Sequence, residues 1–154
     1  MGRLPSPEHA ADWGAFADTL LHFDSTPPHT IDLRRVIDGA SRQSLCDLGF
    51  ERSFGIISAQ DPMGLRHPAA ENERLAASLQ QEVAALIGTQ LRVTACSPDG
   101  SHCEESIAIA LDLRMVIDLA DRYRQLAIFW FDGDAFWIIP VRSSKAKVRL
   151  PLPA

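Results

Sequence analysis

Apolar positions along this chain recur with two periods, and the change from one to the other marks the elements. Trp13, Phe16, Ala17, Leu20 and Leu21 fall at i, i+3, i+4, i+7 and i+8. They follow Ser6-Pro7-Glu8, which has the form of an N-cap, a first-turn proline and an acidic first turn. This predicts an amphipathic helix of about four turns. Asp24-Ser25-Thr26-Pro27-Pro28 ends it, since two prolines forbid helix. The stretch 31–38 fits either a short strand or a turn of helix. Residues 41–50 read as a short helix stopped at Gly49, with Cys46 in its core.

From Phe54 the alternation sharpens. Phe54 to Ala59 is rich in strand formers. Pro68 opens a helix with an acidic first turn and a stripe of Leu75, Leu79, Val83, Leu86 and Ile87, ended by Gly88. Leu91–Cys96 and Cys103–Leu111 read as strands around the turn Ser97-Pro98-Asp99-Gly100. Asp112 caps a second helix with Leu113, Val116, Ile117 and Ala120 on its apolar face. Gln125–Phe131 and Ala135–Val141 form a hairpin about Asp132-Gly133-Asp134.

The order from residue 54 is β-α-β-β-α-β-β. Its first six elements spell the ferredoxin-like split βαβ motif, an α+β sandwich with strand order 4-1-3-2 and one extra C-terminal hairpin strand. Residues 1–50 would be an N-terminal helical extension packed on the domain, 51–142 the ferredoxin-like domain, and 143–154 a loose basic tail ending in proline. This threading brings three separated segments to one end of the sheet. Ser58, Gln60 and Asp61 end its first strand, His102, Glu104 and Glu105 open the third, and Gln125 opens the fourth. Asn72 and Glu71 sit at the start of the neighbouring helix. Glu105 shares a strand face with Cys103, Ile107, Ile109 and Leu111, so burial is expected of it, and a buried carboxylate needs a partner. A slip of one residue would give that role to Glu104.

Composition narrows the function classes. Hydrophobic residues make up 46 % and charged residues 23 % of 154 residues, which suits one globular domain. A net charge of −5 disfavours gripping a nucleic-acid backbone. It also weighs against a base-stacking role for Phe129, Trp130, Phe131, Phe136 and Trp137, which are expected to pack on the two sheet faces instead. No apolar run approaches the roughly 20 residues of a membrane-spanning helix. The N-terminal stretch lacks the apolar core of a secretory signal. Three cysteines, an odd number, fit a reducing compartment better than a disulfide framework, with Cys96 and Cys103 as paired or buried reduced cysteines on facing strands. The expected location is the cytoplasm.

"FGIISAQDP", "ENERLAASLQQE", "EESIAI" and "YRQLAIFWFDGDAFWII", in that order, resemble a bacterial family catalogued as domain of unknown function 3293. The resemblance covers about residues 54–141. It carries the family positions onto Ser58, Ala59, Asp61, Pro62, Asn72, Glu105, Ser106 and Gln125. The family usually has Thr and Asn where this chain has Ser58 and Asp61. The resemblance implies a layout and no reaction.

The expected ligand-binding set is therefore Ser58, Gln60, Asp61, Asn72, Glu104, Glu105 and Gln125, holding a small molecule or a protein partner. The alternative is a small metal-assisted hydrolase in which Glu105 is general base or ligand, with Gln125, Ser58 and Asn72 orienting substrate. No cofactor is expected. A divalent cation on Asp61, Glu71, Glu104 and Glu105 is the minor reading. Zinc on Cys96, Cys103 and His102 lacks a fourth ligand. A Ser58–His67–Asp61 relay lacks a nucleophile elbow. Monomer and homodimer both remain open, the latter through an exposed edge strand.

Overall fold

A computed structural model describes residues 13–153. Eight strands form a single sheet, every neighbouring pair antiparallel, in the order β2-β1-β4-β5-β3-β6-β7-β8. The strands are β1 (Leu20–Phe23), β2 (His29–Asp32), β3 (Phe54–Ser58), β4 (Gln90–Cys96), β5 (Cys103–Ile109), β6 (Ala127–Phe131), β7 (Phe136–Pro140) and β8 (Val148–Arg149). The helices are α1 (Gly14–Ala17), α2 (Gly39–Asp47), α3 (Ala69–Ala84) and α4 (Leu113–Arg122). The protein is an α+β fold.

The alternation along β3 decides how its two faces are covered. Phe54 and Ile56 join one apolar cluster with Phe23, Leu45, Phe50, Val93, Phe129 and Phe131. Ile57 and Ala59 join the other, with Leu79 and Val83 of α3, Val116 and Leu119 of α4, and Ile107, Ile109 and Trp130 of the sheet. The two long helices thus share one face, and the N-terminal segment with α2 covers the opposite one. Phe16 meets Phe129 edge-on at 6.0 Å. Phe129, Trp130, Phe131 and Phe136 are all buried, so they offer no open platform for stacked bases. Asp112 caps α4 as its position predicts, accepting the Met115 N–H at 2.9 Å. Asp38 does the same for α2.

Several expectations are corrected. Residues 1–12 of the expected N-terminal helix lie outside the described residues, and α1 stops at Ala17. Leu20 and Leu21 belong to β1, which pairs with β4 and, through a hairpin, with β2. The first fifty residues therefore widen the sheet. The helical phase of Trp13 to Leu21 is also met by strand alternation from Thr19 to Phe23, and pairing with β4 decides between them. The C-terminal stretch is not loose: Val148 pairs with Ile138, Leu150 is buried, and Lys147 sits over the Trp137 ring. Ile87 is exposed, just past the end of α3, and Cys46 is exposed on α2.

Cys96 and Cys103 stand opposite one another on β4 and β5 and are joined by a disulfide. The two cysteines are paired on facing strands as expected but oxidised and not reduced, and the odd cysteine count gives no support to a reducing compartment. Among the described residues no helix is long and apolar enough to cross a membrane.

Candidate functional site

β3 runs out at Ser58, and the chain must turn sharply to reach α3. Asp61 takes a left-handed conformation (φ 48°) and Met63 another (φ 60°) around the short 3-10 turn Pro62–Gly64. Arg124, which precedes β6, is left-handed too (φ 54°). These three are the non-glycine residues with positive φ among the described residues, and the Met63 N–H donates to the Arg124 carbonyl at 2.7 Å. Such conformations cost of order 1 kcal/mol or more each and persist only where surroundings hold them.

Asn72, itself buried, is one holder. Its Oδ1 accepts the Asp61 N–H and its Nδ2 donates to Asp61 Oδ1, both at 2.9 Å. Asp61 Oδ1 also accepts the His67 N–H at 2.9 Å. Asn at position 61 could offer the same accepting oxygen. What Asp61 adds is charge on a second oxygen, Oδ2, which takes no part in these bonds.

Gln60 ties the expected segments together. Its N–H donates to Ser58 Oγ at 3.0 Å, its carbonyl accepts from Gln125 Nε2 at 3.1 Å, and its Oε1 accepts the Glu105 N–H. The threading read from the sequence thus brings Ser58, Gln60, Glu105 and Gln125 together. Ser58 and Gln125 are buried, their polar groups committed to Gln60 and to the Tyr123 carbonyl.

An open cleft of about 560 Å³ lies between the start of α3 and the start of β5. Gln60, Asp61, Arg66, His67, Asn72, Glu73, Thr94, Ser101, His102 and Glu105 line it, with Ala69 and Cys103. Glu105 is exposed in this cleft instead of buried. The alternation rule places it on the helix-bearing face correctly, but α3 starts too late to cover that end of the strand. Glu104, on the opposite face, is the half-buried carboxylate, 29 % exposed. Burial first of all lifts its carboxyl above the ordinary glutamate range; the His102 charge opposes this and the Asp61 charge reinforces it. Donor atoms of Asp61, His102 and Glu104 all lie within 4.8 Å of one another.

Other expected arrangements do not form. Glu71 faces His67 (3.4 Å) and stays out of that group. The Ser58 hydroxyl is engaged by Gln60 and the His67 ring by Glu71, so no Ser58–His67–Asp61 relay is assembled. The sulfurs of Cys96 and Cys103 are bonded to each other and unavailable to zinc. Arg66, Glu73, Thr94 and Ser101 were not expected in the cleft. His102 was placed at this end without a role beside Glu104. Glu104 lies on β5 and His102 in the turn just before it, so strand alternation alone does not pair them.

Residues 57–128 match the family model described as Protein of unknown function (DUF3293). The resemblance read from the residues is thereby shown for this stretch. The DUF3293 stretch begins inside β3 and ends inside β6, and it contains every expected site residue from Ser58 to Gln125. It leaves out β1, β2, α2, β7 and β8, which supply most of one sheet face. No curated protein and no solved structure matches the chain.

Proposed function

We propose that this is a binding domain that takes a small polar molecule at the cleft beside Gln60. The observation that carries this is the lining. Asp61, Glu73 and Glu105 line a space of about 560 Å³ together with Arg66, His67 and His102, and Thr94 and Ser101 add hydroxyls. Such walls favour a ligand with hydrogen-bonding groups of both kinds over an apolar one. Ser58, Asn72 and Gln125 act as supports that hold Gln60 and Asp61, and Gln60, Asp61 and Glu105 offer the contacting atoms. The neighbour order β4-β5-β3-β6, with α3 and α4 on one face, supports reading the middle of the sheet as a ferredoxin-like unit widened at both edges.

The test is a fragment screen read by amide NMR shifts, with a chelator present. Polar fragments are expected to perturb residues 60–67, 94 and 101–105 as one set. Arg66→Ala and Glu73→Ala, both exposed changes, should weaken the best fragment about tenfold. Fragments that gather elsewhere, for instance along the apolar groove by Val36 and Leu152, would sink the reading. A small metal-assisted hydrolase remains the second reading, favoured by the approach of Asp61, His102 and Glu104.

A further inference from the structure

We propose that Asp61, His102 and Glu104 bind a divalent transition-metal cation of the Mn²⁺ or Zn²⁺ class. The inference rests on these three side chains, and it stands whether or not the cleft takes a small molecule or any bond is hydrolysed. One donor atom from each residue lies within 4.8 Å of the others. Three donors that share an ion at about 2.0–2.2 Å stand roughly 3–4 Å from one another, so side-chain rotations that bring these atoms about 1 Å closer close the set. Glu104 reaches it from β5, His102 from the turn just before that strand, and Asp61 from the turn after β3.

Charge gives the second argument. Two carboxylates approach each other here, and neither pairs with a lysine or arginine among the described residues; His102 Nε2 stands 3.7 Å from Glu104. Glu104 is also half-buried, so its charge is poorly served by water. A cation between the three groups supplies the missing positive charge. The donor set then selects which cation. Mg²⁺ and Ca²⁺ prefer oxygen throughout, whereas one imidazole with two carboxylates suits a borderline ion.

The chain that carries the donors is held in place. Two donors fix Asp61 Oδ1, one of them from buried Asn72, and Oδ2 stays outside those bonds. The His102 N–H donates to Ser97 Oγ, and the Ser97 N–H donates to the His102 carbonyl. The Cys96–Cys103 bond closes the same turn. His102 lines the cleft, so the ion's remaining positions would open toward it.

The experiment is Mn²⁺ titration of chelator-treated protein, followed by electron paramagnetic resonance. One ion per chain is expected, with nitrogen coupling from an imidazole in the electron spin-echo spectrum. His102→Ala should abolish that coupling and, like Glu104→Gln, weaken binding at least about tenfold. Mn²⁺ and Zn²⁺ should raise Tm where equal Mg²⁺ does not. His102→Ala alters an exposed turn residue, and its metal-free Tm should match wild type, which keeps the comparison on folded protein. Unchanged Mn²⁺ affinity in His102→Ala, no nitrogen coupling in wild type, or equal stabilisation by Mg²⁺ would each overturn the proposal. The fragment screen is run without metal, so its failure and this one are read separately.

Discussion

Asp99 shows how much one exposed side chain can hold at the residue scale. Its Oδ1 accepts from the Ser101 N–H, the Ser101 hydroxyl and the Ser97 hydroxyl. The Ser101 N–H is the largest cause, and together they lower the carboxyl to about 2 from an ordinary 3.8. Because the folded turn prefers the ionised form, its contribution is complete above the unfolded value of 3.8 and is lost as pH falls through about 2. An NMR titration should therefore show the Ser101 amide shifting with a midpoint near 2, and Asp99→Asn should flatten it. A midpoint at the ordinary 3.8 would refute the turn as described. At this scale the sequence was partly legible. Ser58, Gln60, Glu105 and Gln125 meet as strand order requires, yet their division into supports and cleft-facing groups depended on hydrogen-bond partners that no periodicity specifies. Glu105 was expected buried because alternation reports a face and says nothing of how far a helix covers it.

Gly55 sets the distance between two elements. It sits mid-strand in β3, and a Cβ there would stand 2.5 Å from Val116 Cγ1 of α4. Val116 is fully buried, so it has nowhere to retreat. Gly55→Ala should lift α4 from the sheet and cost about 1–3 kcal/mol, read as a lower urea midpoint. A midpoint equal to wild type would show that the α4 packing gives way freely. The long periodic elements, α3 and α4, and the strands from β3 to β7 were readable in the chain because each repeats its pattern often enough to be unambiguous. β1 and β8 were not. Leu20 to Phe23 satisfies a helical phase as well as a strand's, and the alternation Lys147-Val148-Arg149-Leu150 hides a two-residue strand behind charges that suit an edge. The sequence places Cys96 and Cys103 on facing strands; what it leaves open is the register that sets them directly opposite one another.

The whole molecule is larger than the stretch that carries its candidate site. Phe54, Ile56, Val93, Phe129 and Phe131 are covered on one face by Phe23, Leu45, Phe50 and their neighbours, all from the first fifty residues. A fragment of residues 52–142 would leave that face in water, a contiguous apolar surface large enough to drive association. It should elute as large species in gel filtration and lack a dispersed amide spectrum, whereas the full chain should give one. A monomeric, well-dispersed fragment would show that the N-terminal hairpin and α2 are dispensable. Leu21 and Phe23 share one apolar cluster with Phe129, so the core runs across residue 50.

The rims of the eight-stranded sheet have a further consequence. On one side the outermost strand, β2, is four residues long and follows Pro27-Pro28; on the other, β8 is two residues long and runs into Pro151 and Pro153. Proline has no N–H to offer a newcomer, and strands this short give it little to align with. Lateral growth into fibrils is thus discouraged from both directions.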